Sequence, residues 1–211
     1  LILEYNRKNY VSKRGLLDLL DKQVGSEGLY KIIHHRTARI EFAFTHTQNY
    51  GENYFSYVNG QHTSDGGTHL WAFKEGILKG INEFYKKNYI APDVRDGLTG
   101  AISIKLQEPV FESQTKNKLG NTEVRTWIIQ DVKEAIIDFL MKNSDDAAKL
   151  ADKIASNEKL RKELAAVKGA ARDAAKKVSI NIPKLKDCKH HLGANGEKGE
   201  RTMIFLTEGD S

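Results

Sequence analysis

Apolar residues along this chain change their period several times, and each change predicts an element. Leu1-Ile2-Leu3 reads as part of a strand. Residues 13–24 put Leu16, Leu17, Leu19 and Leu20 on a short helical face. From 38 to 45 the period drops to two. Ala38, Ile40, Phe42 and Phe44 point one way, Arg39 and Glu41 the other, as in a half-buried strand. Asn49-Tyr50-Gly51-Glu52-Asn53 carries turn chemistry, and Tyr54 to Val58 is rich in β formers. Together the two runs predict a hairpin with a medium loop.

Asp65-Gly66-Gly67-Thr68 then breaks the pattern and supplies helix-start groups. Leu70, Phe73, Ile77, Ile81 and Phe84 follow at helical spacing, predicting a helix to about Asn88. Pro92-Asp93 opens a turn. Leu98, Gly100, Ile102, Ile104 and Leu106 alternate as a strand that Glu108-Pro109 stops. Residues 111–121 have no period and read as an ordered loop. A helix comes next, with Val124, Ile128, Val132, Ile136 and Phe139 on one stripe. Ser144, with Asp145 and Asp146 behind it, is an N-cap for a second helix running to about Val178. That helix is rich in alanine and lysine and poor in large apolar residues after Leu164, so its far end is solvated. Pro183, Gly193, Gly196 and Gly199 give 181–200 a linker composition. Residues 201–207 form a last strand. The order predicts an α+β domain with a helical arm. Strand-like ends at both termini suggest a piece of a longer polypeptide.

Composition adds bounds rather than an identity. The 211 residues carry 33 Lys+Arg against 28 Asp+Glu, a formal charge of +5. This mild excess permits a phosphate-bearing partner and equally suits a solvated surface. The single cysteine, Cys188, excludes an internal disulfide and suits a reducing cytoplasm. No apolar run approaches the roughly 20 residues of a membrane span, and no signal peptide opens the chain.

Three segments carry a family resemblance. Tyr57-Val58-Asn59-Gly60-Gln61-His62-Thr63-Ser64-Asp65-Gly66-Gly67-Thr68-His69 is the first. Asp93-Val94-Arg95-Asp96-Gly97-Leu98 leads through Ile102-Ser103-Ile104-Lys105 to the second, the run from Pro109 to Asn121 containing Gln114-Thr115-Lys116. The third is Thr207-Glu208-Gly209-Asp210-Ser211. In this order and spacing they resemble the ATPase subunit of bacterial type IIA topoisomerases, over nearly the whole chain from about residue 13. Pro183-Lys184-Leu185-Lys186-Asp187-Cys188, together with Lys189-His190 and Thr207, is closer to the topoisomerase IV branch (its B subunit) than to the gyrase branch.

The resemblance implies a ribosomal protein S5 domain 2-like transducer with a left-handed βαβ crossover over 1–142. It implies a helical arm over 143–180, a linker over 181–200 and the first strand of a TOPRIM domain over 201–211. Handedness rules alone favour a right-handed crossover. It also implies catalytic roles for two residues. Lys116, assisted by Gln114, reaches the ATP γ-phosphate held in a preceding GHKL domain. Glu208 holds Mg²⁺ with aspartates further downstream and assists DNA cleavage. Lys74 stands where the family places a base lining the cavity for duplex DNA. Implied partners are duplex DNA, the topoisomerase IV A subunit and, through the GHKL domain, a second copy. Implied cofactors are ATP and Mg²⁺ in the full-length protein, with none bound by this stretch alone. It lacks the glycine-rich lid and catalytic glutamate of a GHKL domain, so it is expected to be inactive by itself.

Each site residue has a plainer reading. A loop lysine is ordinarily a solvated one; the resemblance is what favours a phosphate role, for which a compact charge on a flexible stem is suited. Glu208 and Asp210 are solvated acids if no aspartates join them. Lys74, Lys79, Lys86 and Lys87 could simply face water. His69 reads as a hydrogen-bonded packing residue, and Cys188 with His190 and His191 falls short of a four-ligand zinc set. A non-enzymatic S5-like nucleic-acid-binding module and a mismatch-repair GHKL ATPase remain as alternatives. The first leaves Gln114-Thr115-Lys116 unexplained, and the second leaves the terminal acidic motif unexplained.

Overall fold

The computed structural model describes residues 2–177 together with 190, 191, 203 and 204. The chain divides into two units, Leu1–Leu164 and Ala165–Ser211. In the first, β1 (Ile2–Tyr5) and β2 (Lys8–Val11) form a two-stranded antiparallel sheet, followed by helix α1 (Leu16–Val24). A five-stranded sheet then contains β3 (Ile33–Arg36), β4 (Ile40–His46), β5 (Asn53–Val58), β6 (Gln61–His62) and β7 (Leu98–Ile104) in the order β3-β4-β7-β5-β6. Helices α2 (Thr68–Tyr85) and α3 (Ala91–Arg95) lie between β6 and β7 in the chain, and α4 (Val124–Lys142) follows β7. Helix α5 (Ser144–Lys177) starts in the first unit and runs past its boundary.

The strand order corrects the hairpin expected between β4 and β5. These strands are not neighbours, because β7 pairs antiparallel with β4 and parallel with β5. The connection from β5 to β7 is therefore a crossover through α2. Local turn chemistry at Asn49–Asn53 reverses the chain, but the apolar β7 takes the central place. Four of its side chains are fully buried or nearly so: Leu98, Ala101, Ile102 and Ile104.

Period-two alternation distributes the core over both sheet faces. Ile40, Phe42 and Phe44 of β4 join Phe73, Ile77 and Ile81 of α2 and Val124, Ile128, Val132, Ile136 and Leu140 of α4. Ala43 and Ala101 point to the opposite face and meet Leu16 and Leu20 of α1. The face predicted to be wet is thus covered. Glu41 on that face is not solvated: its Oε1 accepts from the Leu16 N–H at 2.8 Å. It joins Asp18 of the first turn as an acid at the start of α1, where Gly15 (φ 62) provides no cap of its own.

Several expected boundaries shift. Helix α2 ends at Tyr85, where Lys86 takes a left-handed conformation (φ 51). Strand β7 ends at Ile104; Leu106 lies beyond it, held through both its N–H and C=O by the Asn59 side chain. Pro92-Asp93 falls inside α3 rather than in a turn, with Pro near its start. On α4 the stripe closes with Leu140, not Phe139, one full i,i+4 step after Ile136. The Asn143 C=O accepts the first bond of α5, from Ala147 N–H, so Ser144 sits inside the helix instead of capping it. Strand β3 and its pairing with β4 had no sequence signal beyond Ile33. Met203 and Ile204 are exposed and in neither helix nor strand; the rest of the expected strand over 201–207 lies outside the described residues. Among the described residues, no helix is long and apolar enough to cross a membrane.

Candidate functional site

The loop from Val110 to Asn121 is built as a small hairpin. The nearly buried Asn121 closes its base: its Oδ1 accepts from Val110 N–H at 2.6 Å and its amide donates to Glu108 C=O. Gly120 N–H then donates to Val110 C=O at 2.8 Å and Glu112 N–H to Lys118 C=O at 3.0 Å. At the tip, Lys116 N–H donates to Ser113 C=O at 3.1 Å, and Lys116 itself is left-handed (φ 57). That conformation is uncommon for a residue bearing a Cβ and turns the chain over within a few residues.

One side of this loop is stitched to the turn that opens α2. Asp65 N–H donates to Asn117 C=O, Thr68 N–H to Leu119 C=O, and Leu119 N–H to Gly66 C=O, all within 3.0–3.1 Å. Such an approach needs a bare backbone at Gly67 (φ 129). A Cβ there would stand 2.4 Å from the Leu119 nitrogen. Leu119 is fully buried and anchors the junction. Two motifs about fifty residues apart in sequence are therefore one structural unit.

Lys116 is exposed at the tip and takes part in none of the ion pairs among the described residues, and Gln114 beside it is exposed too. Lys118 differs: its Nζ lies 2.9 Å from Glu112 Oε2. Lys74 is elsewhere, on α2. Its side chain is only 20% exposed, its Nζ is 3.4 Å from Glu52 Oε2, and it sits 4.0 Å from the centroid of the Tyr54 ring. Burial, and then the charge of Glu52, raise the Tyr54 phenol far above its usual range, so the ring beneath Lys74 stays protonated. Lys79 is paired with Glu75 at 2.8 Å, and Lys87 lies over Tyr89. His69 is fully buried, with Nε2 3.2 Å from the Thr63 hydroxyl.

Lys74 lines a groove of about 630 Å³ shared by α2, α3 and the start of α4. Its walls include Trp71, Arg95 and Arg125, which the sequence reading missed. Trp71 could have been found, since it stands three residues before Lys74 on one helical face. Nothing local marks Arg125, which arrives from α4. Glu208, Asp210 and Cys188 lie outside the described residues. His190 and His191 are exposed, and among the described residues no group of three or more His, Cys, Asp or Glu is placed to hold a metal.

This mixed sheet and its helices define the class: they match the ATPase region of gyrase-type enzymes. The 43K ATPase domain of Thermus thermophilus gyrase B, solved with an aminocoumarin, superposes with a TM-score of 0.63 at 29% identity, over 81% of this chain and 48% of that one. The model of the DNA gyrase B family matches residues 6–170, and the chain belongs to that family. The DNA topoisomerase 4 B subunit of Borreliella burgdorferi is 50% identical over 100% of this chain and 35% of its own length. The DNA gyrase B subunit of Clostridium acetobutylicum is 36% identical over 82% of this chain and 28% of its own. The chain thus spans about a third of the length of these relatives.

Proposed function

We propose that this chain is the transducer region of a topoisomerase IV B subunit in an ATP-dependent type II topoisomerase, working with the A subunit on duplex DNA in the cytoplasm. The higher identity to the topoisomerase 4 relative than to the gyrase relative supports that branch. In this reading 1–142 is the S5-like domain, 143–180 the arm, 181–200 the linker and 201–211 the TOPRIM start. The β5–α2–β7 parallel unit supports the S5-like assignment; its left-handed crossover rests on the family resemblance.

The observation that carries the proposal is the exposed Lys116, in no ion pair among the described residues, at a loop tip braced against the α2 turn. A triphosphate bound in a neighbouring GHKL domain gathers charge that such an ammonium, assisted by Gln114, completes. Losing the γ-phosphate removes the contact, and the loop's bracing passes the change to α2. Two such domains dimerise on ATP around a DNA segment, with Lys74 contributing to its cavity. Glu208 joins downstream aspartates on Mg²⁺, which supplies charge for DNA cleavage.

Lys116→Ala in the full-length protein, assayed with its A-subunit partner, is expected to lower ATP turnover by about 100-fold and to abolish strand passage. Lys118→Ala, which removes a lysine already tied to Glu112, is expected to change either little. Normal ATP turnover in Lys116→Ala would refute the assignment.

A further inference from the structure

The groove on α2 holds more than a phosphate contact requires. Trp71 is 68% exposed, an unusual amount for the largest side chain. Thr68, Trp71, Glu75 and Leu78 recur along one face of α2, so the indole stands beside an apolar wall and a polar one. Helix α2 starts with no side-chain cap and no acid in its first turn; only the Leu119 C=O meets it, at Thr68 N–H. The buried Thr68 hydroxyl has no hydrogen-bond partner.

The charges around the groove do not cancel. Lys74 and Arg95 share one carboxylate, Glu52, at 3.4 and 3.8 Å. Arg125 and Lys79 share another, Glu75, at 2.9 and 2.8 Å. Four cations thus stand on two acids, and three of them, Lys74, Arg95 and Arg125, line the groove. The contacts to Glu52 are longer than a close ion pair, so both cations can turn to a stronger acceptor. At about 630 Å³ the groove falls within the range of small-molecule sites. That volume is far below that of a duplex segment, which could only lie across its mouth. An exposed indole among cations is instead the chemistry that binds unstacked bases.

We infer that this groove binds a single nucleotide unit, with its phosphate on Lys74, Arg95 and Arg125 and its base laid on the Trp71 indole. The unit comes either from a free nucleotide or from a single-stranded stretch of nucleic acid. The duplex proposed above engages the same lysine through its backbone alone, so the two readings part at Trp71.

The test is fluorescence anisotropy of this chain with a labelled short thymidine oligonucleotide, with unlabelled thymidine monophosphate as competitor and a labelled duplex in parallel. Trp71→Ala is expected to weaken single-strand binding about tenfold or more, Trp71→Phe to restore most of it, and Arg125→Ala to weaken it as well. Competition by the monophosphate that Trp71→Ala abolishes identifies a free nucleotide as the source; strand binding without such competition identifies a single strand. Absence of binding by both ligands overturns the inference, as does unchanged affinity in Trp71→Ala. An equal loss for strand and duplex in that variant also overturns it, because Trp71 would then serve backbone contact. Loss of duplex binding in Lys74→Ala alone bears only on the duplex reading.

Discussion

His46 shows how burial sets chemistry at the scale of one residue. Its Nδ1 accepts from the Tyr30 hydroxyl at 2.6 Å and its Nε2–H donates to Val94 C=O at 2.7 Å, a pairing available only to the neutral ring. Burial lowers its pKa to about 4, with the bond to Val94 and the charge of Asp96 opposing and that of Lys153 adding. Burial lowers His69 to about 4 as well. Both folded values lie below the ordinary 6.5. Their stabilisation is therefore full above pH 6.5 and is lost as the pH falls towards 4, on the order of 3 kcal/mol for His46. The melting temperature is expected to drop across that window, ahead of the carboxylates Glu75 and Glu123, whose lowered values place their loss at more acid pH. His46→Gln, always neutral, is expected to show a lower melting temperature at pH 7 but a shallower acid limb. A limb as steep as that of the parent would assign the loss to other groups. At this scale the exposed loop position of Lys116 was legible in the sequence because a motif surrounds it, whereas nothing near His46 in sequence signals its partners, which come from sixteen and forty-eight residues away.

At the scale of elements, α2 and α4 pack through two glycines. A Cβ on Gly76 would meet Val132 Cβ and Cγ1 at 2.9 Å, and one on Gly80 would meet Ile136 and Lys133 at 3.3 Å. Gly76→Ala sets a helix-propensity gain of about 1 kcal/mol against overpacking of about 1–3 kcal/mol. Val132 is fully buried and stiff at χ1, so it cannot yield and the clash wins. The expected result is a net loss of up to about 2 kcal/mol in urea unfolding. Gly169→Ala in α5, where a Cβ would meet nothing within 4 Å, is expected to show no loss. Equal effects at the two positions would contradict this packing. Helices were the most legible elements, since the stripe Val124, Ile128, Val132, Ile136 states both their period and their buried face. Strands were legible as strands but not as neighbours. Alternation marks which side chains share a face, and says nothing about which strand lies alongside.

Across the first unit as a whole, apolar and then polar contacts tie α5 to the elements before it. Ala147, Leu150 and Ile154 of α5 belong to the main core. One turn further on the contact becomes polar: the Asn157 amide donates to the C=O of both Asp93 and Asp96, and Arg161 clasps the buried Asp93 carboxylate at 2.7 and 2.9 Å. These bonds grip the connection between α3 and β7, which is part of the second family motif. Arg161→Ala leaves Asp93 without its partner in a site that is 4% exposed. Amides of α5 around 157–164 are then expected to exchange faster with solvent while those of β4 and β7 keep their protection. Arg161→Lys is expected to fall between. Unchanged exchange in α5 would show that its apolar turns alone hold it in place.

By itself the sequence determined most of the elements, the apolar stripes of α2 and α4, the Gln114-Thr115-Lys116 motif and the kinship with gyrase-type enzymes. All of these are written in short-range periodicity or in runs of consecutive residues. Only the tertiary structure decided that β7 enters between β4 and β5, that Glu41 starts α1 and that Arg161 closes on Asp93. It also decided that Trp71 and Arg125 share one groove. Each of these is a meeting of distant residues, and their energy is gained only once the chain has closed the loops that separate them.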